Sequence, residues 1–142
     1  MSKQCLDVQQ MQHLQELGLE LKETMLYWVV YEAGHENNFV TTKENAMEVI
    51  DESCGMLPAY TLQDVLDAMP ASIKHKDFRY YLVYNKSEGF IGYYGVDFDG
   101  NNRYARYEEF YNGIDGLSVI YAAYSMLCWC IEQGYVETNK NE

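Results

Sequence analysis

Cations are scarce. Ten Lys and Arg face 22 Asp and Glu, for a net charge of −12 and a pI near 4.5. Nucleic-acid binding needs cations to displace the counterions condensed on phosphate. No broad basic face is available, so direct DNA or RNA binding is not expected. Proline occurs only twice in 142 residues, and there is no low-complexity tract, internal repeat or linker. Long apolar runs are also lacking. The most hydrophobic stretch, Leu117 to Ile131, is 15 residues long and includes two serines and two tyrosines, against the roughly 20 residues a bilayer helix needs. No membrane span is expected. The opening Met-Ser-Lys-Gln-Cys does not read as a secretory leader. Four cysteines, Cys5, Cys54, Cys128 and Cys130, include no pair at zinc-knuckle or thioredoxin spacing. They read as reduced, buried thiols, which places the chain in the cytoplasm.

What remains is ordinary for a folded domain: 48% hydrophobic and 23% charged residues over 16.6 kDa. That supports one domain spanning residues 1–142 with a conventional core. Charge is uneven. Residues 1–71 carry 12 acids and three bases, and Glu32 to Asp67 alone carry eight acids and only Lys43. An acidic surface solubilises, and it also steers basic partners.

Periodicity gives the elements. Residues 7–17 read as a helix capped by Asp7, with Val8, Met11 and Leu14 on one stripe and Gly18 ending it. Met25 to Tyr31 read as a strand covered on both faces, or on one face plus an interface, and Phe39 to Thr41 as a short strand paired with it. Residues 43–53 read either as an acidic helix capped by Thr42 or as an irregular loop. Residues 61–69 form the best-punctuated helix: Thr61 caps, Asp64 sits at the third position, Leu62, Val65, Leu66 and Met69 form one stripe, and Pro70 stops it. Phe78 to Asn85 and Phe90 to Asp97 are strands joined as a hairpin, with Arg103 to Tyr107 as a third. Residues 115–133 form a long closing helix started by Asp115 or Gly116, with Leu117, Ile120, Tyr121, Tyr124, Leu127, Cys128 and Ile131 on its core side and Gly134 ending it. The resulting expectation is an α+β domain: an antiparallel, tyrosine-rich sheet packed against a short helix and a long C-terminal helix.

Chemical motifs are sparse. Asp97-x-Asp99-x-Asn101 with Glu108 in the twelfth place has calcium-loop letters, but Asn102 replaces the turn glycine and the context is strand, not helix. A Cys–His pair would have to bring Cys54 to His35 or His75. No nucleophile elbow, His-Glu-x-x-His or phosphate-binding loop is present. No metal and no cofactor is expected. Lys74, His75, Lys76 and Arg79 form one small basic spot.

Aromatic content stands apart. Fourteen tyrosines include Tyr80, Tyr81, Tyr84, Tyr93, Tyr94, Tyr104, Tyr107 and Tyr111 in or beside the sheet. Period-two alternation puts them on both faces. Tyrosine is enriched at interfaces because a rigid amphipathic ring adds contact area at low entropic cost. Tyr80, Tyr84, Tyr93, Tyr104 and Tyr107 are therefore the candidate binding residues, for a protein partner or a second copy.

Three segments carry a resemblance: Val8 to Gly18, Leu57 to Leu66, and Ala123 to Tyr135. In these the chain resembles small uncharacterised proteins of gut bacteria and their phages or mobile elements, a group with no established activity. The resemblance implies a phage or mobile-element origin and carries no catalytic residue. The leading expectation is a non-enzymatic binding or accessory protein. The rivals are an acidic inhibitor that imitates nucleic acid and a small Cys/His enzyme.

Overall fold

The computed structural model describes residues 5–110 and 119–139. Helix α1 (Val8–Glu16) begins at a capping box in which the Asp7 carboxylate accepts the Gln10 N–H at 2.8 Å and the Gln10 side chain accepts the Asp7 N–H at 3.0 Å. Gly18, at φ 100°, closes the helix as expected. Strand β1 (Leu26–Tyr31) is the centre of a three-stranded antiparallel sheet, with β2 (Phe39–Thr42) and β3 (Cys54–Pro58) on either side. A 3-10 turn, His35–Asn37, links β1 to β2, and helix α2 (Lys43–Val49) follows. The acidic segment is therefore helical for its first seven residues and then turns back at Asp51 into β3, a strand the hydrophobic pattern does not disclose.

Helix α3 (Leu62–Ala68) starts at the expected Thr61–Asp64 capping box. The second sheet has four antiparallel strands in sequence order: β4 (Ser72–His75), β5 (Phe78–Asn85), β6 (Phe90–Val96) and β7 (Asn102–Glu109). It contains the expected three-strand meander plus β4. Helix α4 (Val119–Glu132) closes the chain, and Gly134, at φ 82°, ends it in a turn where the Tyr135 N–H donates to Cys130 O at 2.9 Å. The expected helix start at Asp115 or Gly116, with Leu117 on its stripe, lies outside the described residues, as does Tyr111.

These elements make one α+β domain in layers. The main core joins α1, α3 and α4 to the inner side of the four-stranded sheet and to one face of β1. Trp28 and Val30 of β1 face this main core, and the Trp28 indole donates to Leu6 O at 2.9 Å. Tyr27 and Val29 point the other way, into a small core shared with Ala46 of α2 and Cys54. β1 is thus covered on both faces, as its unbroken apolar sequence requires. α4 rests on β6 and β7 and packs against α3. Being enclosed, it buries more than one stripe: Ala122, Ala123, Met126 and both Cys128 and Cys130 are inside. Two details differ from the sequence expectation. Cys130 is as much core as Cys128, because the sheet covers the side the simple stripe leaves out. Tyr121, expected inside, is exposed, because no described layer covers that side. Among the described residues, no helix is long and apolar enough to cross a membrane.

Candidate functional site

The four-stranded sheet has one face under α4 and one face outward. Strand register assigns every side chain. Tyr80, Leu82 and Tyr84 of β5 lie on the same side as Ile91 and Tyr93 of β6, toward the helices. Tyr81 and Val83 lie on the opposite side, across from Tyr94 and Gly92. On β7 a bulge opposite Tyr93 and Tyr94 inserts one residue, so that Tyr104 and Tyr107, three apart, both face outward beside Tyr94 and Gly92.

The candidate tyrosines therefore separate. Tyr80 and Tyr93 are 4% and 0% exposed and belong to the core, while Tyr84, Tyr104 and Tyr107 are 39%, 42% and 50% exposed. Tyr84 shares the inward side and stacks edge-on to buried Phe110, with ring centres 5.8 Å apart. Tyr93 is a post between layers: its hydroxyl donates to Pro70 O at 2.7 Å, and the Cys130 thiol lies 3.6 Å from it. Burial holds the Tyr93 hydroxyl protonated far above the ordinary phenol range. Only Tyr104 and Tyr107 share the outer face. Tyr81, Tyr94 and Phe90, which the candidate set omits, complete it. The signal that finds them is strand register, and register depends on a bulge that the sequence does not show.

The outer face is an aromatic platform. Ring centres of Tyr94 and Tyr104 are 5.5 Å apart, of Tyr104 and Tyr107 5.4 Å, and of Phe90 and Tyr104 5.8 Å. These are edge-on or tilted contacts, the geometry that ring quadrupoles favour. The Tyr94 hydroxyl donates to Asn102 Oδ1 at 2.7 Å. Gly92 lies beneath Tyr107: a Cβ there would come 2.6 Å from the Tyr107 Cβ and 2.8 Å from Arg106 O. At one end the platform runs into a recess of about 460 Å³ lined by Arg79, Tyr81, Tyr94, Val96 and the fully exposed Phe98. Lys74 and Arg79 sit on the outward side of the same end, where Arg79 donates to Ser72 Oγ at 2.9 Å. The basic spot is thus split, because His75 points inward to Tyr80, Trp129 and the Tyr135 hydroxyl.

Charge segregates with the layers. Residues 72–110 hold six bases and six acids, so the sheet is neutral within a chain of net −12. The acids collect elsewhere. A second cleft of about 460 Å³ is lined by Glu20, Glu23, Asp64, Asp67 and Glu137, with Lys22 among them.

Cys54 and His75 do not come together. Cys54 is buried in the small core, its thiol 3.8 Å from Val49 O and 3.7 Å from the Asp51 carboxylate. His75 is in the other sheet among aromatic rings, and the His35 side chain lies outside what the structure describes. The calcium-like letters make a turn: Asp97 Oδ1 accepts the backbone N–H groups of Asp99 at 3.0 Å and Asn101 at 2.9 Å. Among the described residues no group of three His, Cys, Asp or Glu side chains is placed to hold a metal. No protein-family model, curated protein or solved structure matches this chain.

Proposed function

We propose that the chain is a non-enzymatic binding protein whose working surface is the outer face of the four-stranded sheet. The observation that carries this reading is the cluster of Phe90, Tyr94, Tyr104 and Tyr107, rings in mutual contact on a face that no described element covers. A scattered exposed tyrosine needs no explanation; a contiguous aromatic patch marks a contact surface. The rings are held by one another and by the Tyr94–Asn102 bond, so little side-chain freedom remains to be lost when a partner arrives. A phage or mobile-element setting fits a small accessory protein of this kind.

The test compares the wild-type chain with the triple variant Tyr81→Ser, Tyr104→Ser, Tyr107→Ser, each immobilised and exposed to bacterial lysate. A retained protein is then purified, and its affinity for both chains is measured by calorimetry. Loss of roughly tenfold or more in the variant, with its circular dichroism unchanged, supports the reading. Equal affinity for both chains refutes it.

The acid-lined cleft favours a second reading, in which the acidic half engages a basic protein by imitating nucleic acid. Duplex DNA would then compete for that partner, and raised salt would weaken the complex. Competition that is absent at low salt would end this reading.

A further inference from the structure

We infer that the recess beside the β4–β5 turn takes an acidic segment of a partner protein: an apolar side chain seats against Tyr81, Val96 and Phe98, and a neighbouring carboxylate binds Lys74 and Arg79. This rests on the reading of the outer face as the working surface, and it names the chemistry of what binds there.

The charges come first. In the β4–β5 register Lys74 stands directly across from Arg79, and both side chains are exposed. Directly opposed residues have Cβ atoms about 5 Å apart, and like charges so placed destabilise a sheet. The chain has 22 acids, yet the other pairs of this ladder, Ser72 with Tyr81, Ile73 with Tyr80 and His75 with Phe78, bring none. Among the described residues neither cation has a carboxylate within ion-pair distance. Arg79 commits one N–H to Ser72 Oγ at 2.9 Å, and its guanidinium keeps further donors for a carboxylate. Lys76 adds a third base, so residues 72–79 hold three bases against one acid, Asp77, which lines the recess. The nearby Asp97 carboxylate is taken up by the N–H groups of Asp99 and Asn101. A net positive end on a chain of −12 is the complement of an anionic partner.

The apolar half of the site adjoins these cations. Tyr81, Val96 and Phe98 are each more than half exposed and line the same recess. Phe98 is fully exposed although its turn is closed: the Asp97 N–H donates to Asn101 O and the Gly100 N–H to Asp97 O, both at 3.0 Å. A held turn thus presents a hydrated ring beside Phe78, with ring centres 6.5 Å apart. Contact with such a ring costs little ordering of the backbone. An inorganic anion would satisfy the cations and leave this apolar surface wet. A purely apolar segment would cover the surface and leave the opposed cations as they are. An acidic segment with an apolar side chain does both. The recess opens onto Tyr94 and Tyr104, so the segment can continue over the aromatic platform. From Val96 to Phe90 along β6 is about 20 Å, room for about six extended residues. Phe110, the last described residue before α4, bonds to Gly89 O at the far end of the sheet from the recess.

The probe is the blocked peptide Gly-Asp-Phe-Asp-Gly, titrated into the whole chain and followed by NMR. Amide shifts are expected to centre on Lys74, Arg79, Tyr81 and Val96 and to saturate with a Kd of about 0.1–1 mM. The Asn-Phe-Asn peptide should bind about fivefold more weakly, and the Asp-Ala-Asp peptide about tenfold. About 0.5 M salt should erase the difference between the Asp and Asn peptides. Lys74→Gln with Arg79→Gln should weaken the Asp peptide about fivefold while its urea midpoint equals or exceeds that of wild type. Phe98→Ser, which removes a ring the fold does not bury, should also weaken it severalfold. Absent shifts at about 5 mM peptide, well above the expected Kd, overturn the inference, as does equal binding of the Asn peptide. A lower urea midpoint for the double glutamine variant overturns it too, because the two cations would then serve the sheet. Displacement of the peptide by an equal concentration of inorganic phosphate would reduce the site to one for a bare anion, and loss of the same shifts on diluting the unliganded chain would make the occupant a second copy; either refutes the proposal. A partner retained from lysate separates the two readings. If it loses affinity for the Tyr81, Tyr104 and Tyr107 triple variant but not for the double glutamine variant, the outer face stands and the acidic segment falls. If it binds both as tightly as wild type, the reading of the face falls as well.

Discussion

Gly92→Ala and Gly55→Ala are the same chemical change at two strand positions, and the structure gives them opposite signs. Neither glycine has a positive φ, so neither substitution forces an L residue into a left-handed conformation. Both restrict the unfolded chain, which favours the native state by about 0.4–1 kcal/mol. At Gly55 the added Cβ meets nothing within 4 Å, so that gain stands alone. At Gly92 it meets the Tyr107 Cβ at 2.6 Å, Arg106 O at 2.8 Å and the Tyr107 Cα at 3.1 Å. None of these is a flexible side-chain end, so relief requires β7 to move away from β6. Overpacking of this kind costs about 1–3 kcal/mol. The net expectation is a loss of about 1–2 kcal/mol for Gly92→Ala and a gain of under about 1 kcal/mol for Gly55→Ala. Urea unfolding followed by tryptophan fluorescence reads both, through the midpoint at constant slope. Because Tyr107 stands on Gly92, the first variant should also disturb the near-ultraviolet tyrosine signal, and the second should not. Gly92→Ala that is as stable as wild type would refute the close approach of β6 and β7 on which the aromatic platform rests.

Other outcomes follow from single contacts. Tyr93→Phe leaves the Pro70 carbonyl without its donor and should cost about 1–3 kcal/mol in the same urea assay, without affecting partner affinity. Asp77→Gly should stabilise by about 1 kcal/mol, since Asp77 holds φ 71° in the two-residue turn between β4 and β5. Burial pushes the Cys128 and Cys130 thiols up to about 11 from 9.0. Both remain protonated in the native state while unfolded thiols ionise, so their contribution is whole below pH 9 and is lost as pH rises toward about 11. The urea midpoint should therefore fall between those values, and Cys128→Ala with Cys130→Ala should flatten the fall. Thr61→Ala removes the hydroxyl that caps α3 and should cost about 1 kcal/mol, read by thermal unfolding.

Much of the architecture is written locally. The Asp7 and Thr61 caps, the helix-ending Gly18 and Gly134, and the hairpin around Gly89 are short-range signals whose chemistry acts within a few residues, and the structure places them as read. The elements that escape are those without a local signature. β4 is four residues long and returns through Lys76-Asp77, a positive-φ turn built without the glycine or asparagine that normally marks it. β3 is a short run containing Gly55 and Pro58, residues that ordinarily argue against a strand; the structure puts it at the sheet edge, where Pro58 is tolerated. The candidate tyrosines fared unevenly for a similar reason. Alternation sorts a strand into two faces but does not say which face the helices cover, and across the β7 bulge even the alternation fails. Tyr93 reads like Tyr104 in the sequence and is its opposite in the fold.

The layering explains why tyrosine, and not leucine or phenylalanine, dominates the outer face. Much of the apolar surface of α4 is consumed within the subunit, and much of the inner side of the four-stranded sheet with it, although Tyr121 and Tyr84 stay partly exposed. The outer side of the four-stranded sheet is left half in water. Leucine there would present a plain apolar patch beside a sheet edge, the combination that drives indiscriminate aggregation. Tyrosine keeps its hydroxyl hydrated while its ring supplies area, and the ring contacts of Tyr94, Tyr104 and Tyr107 hide part of that area until a partner covers the rest. The surrounding net charge of −12 keeps copies apart at long range. The neutral sheet, with equal acids and bases, is the region where this repulsion is weakest. A partner of like charge therefore meets the least long-range resistance at the surface that has the most to offer it.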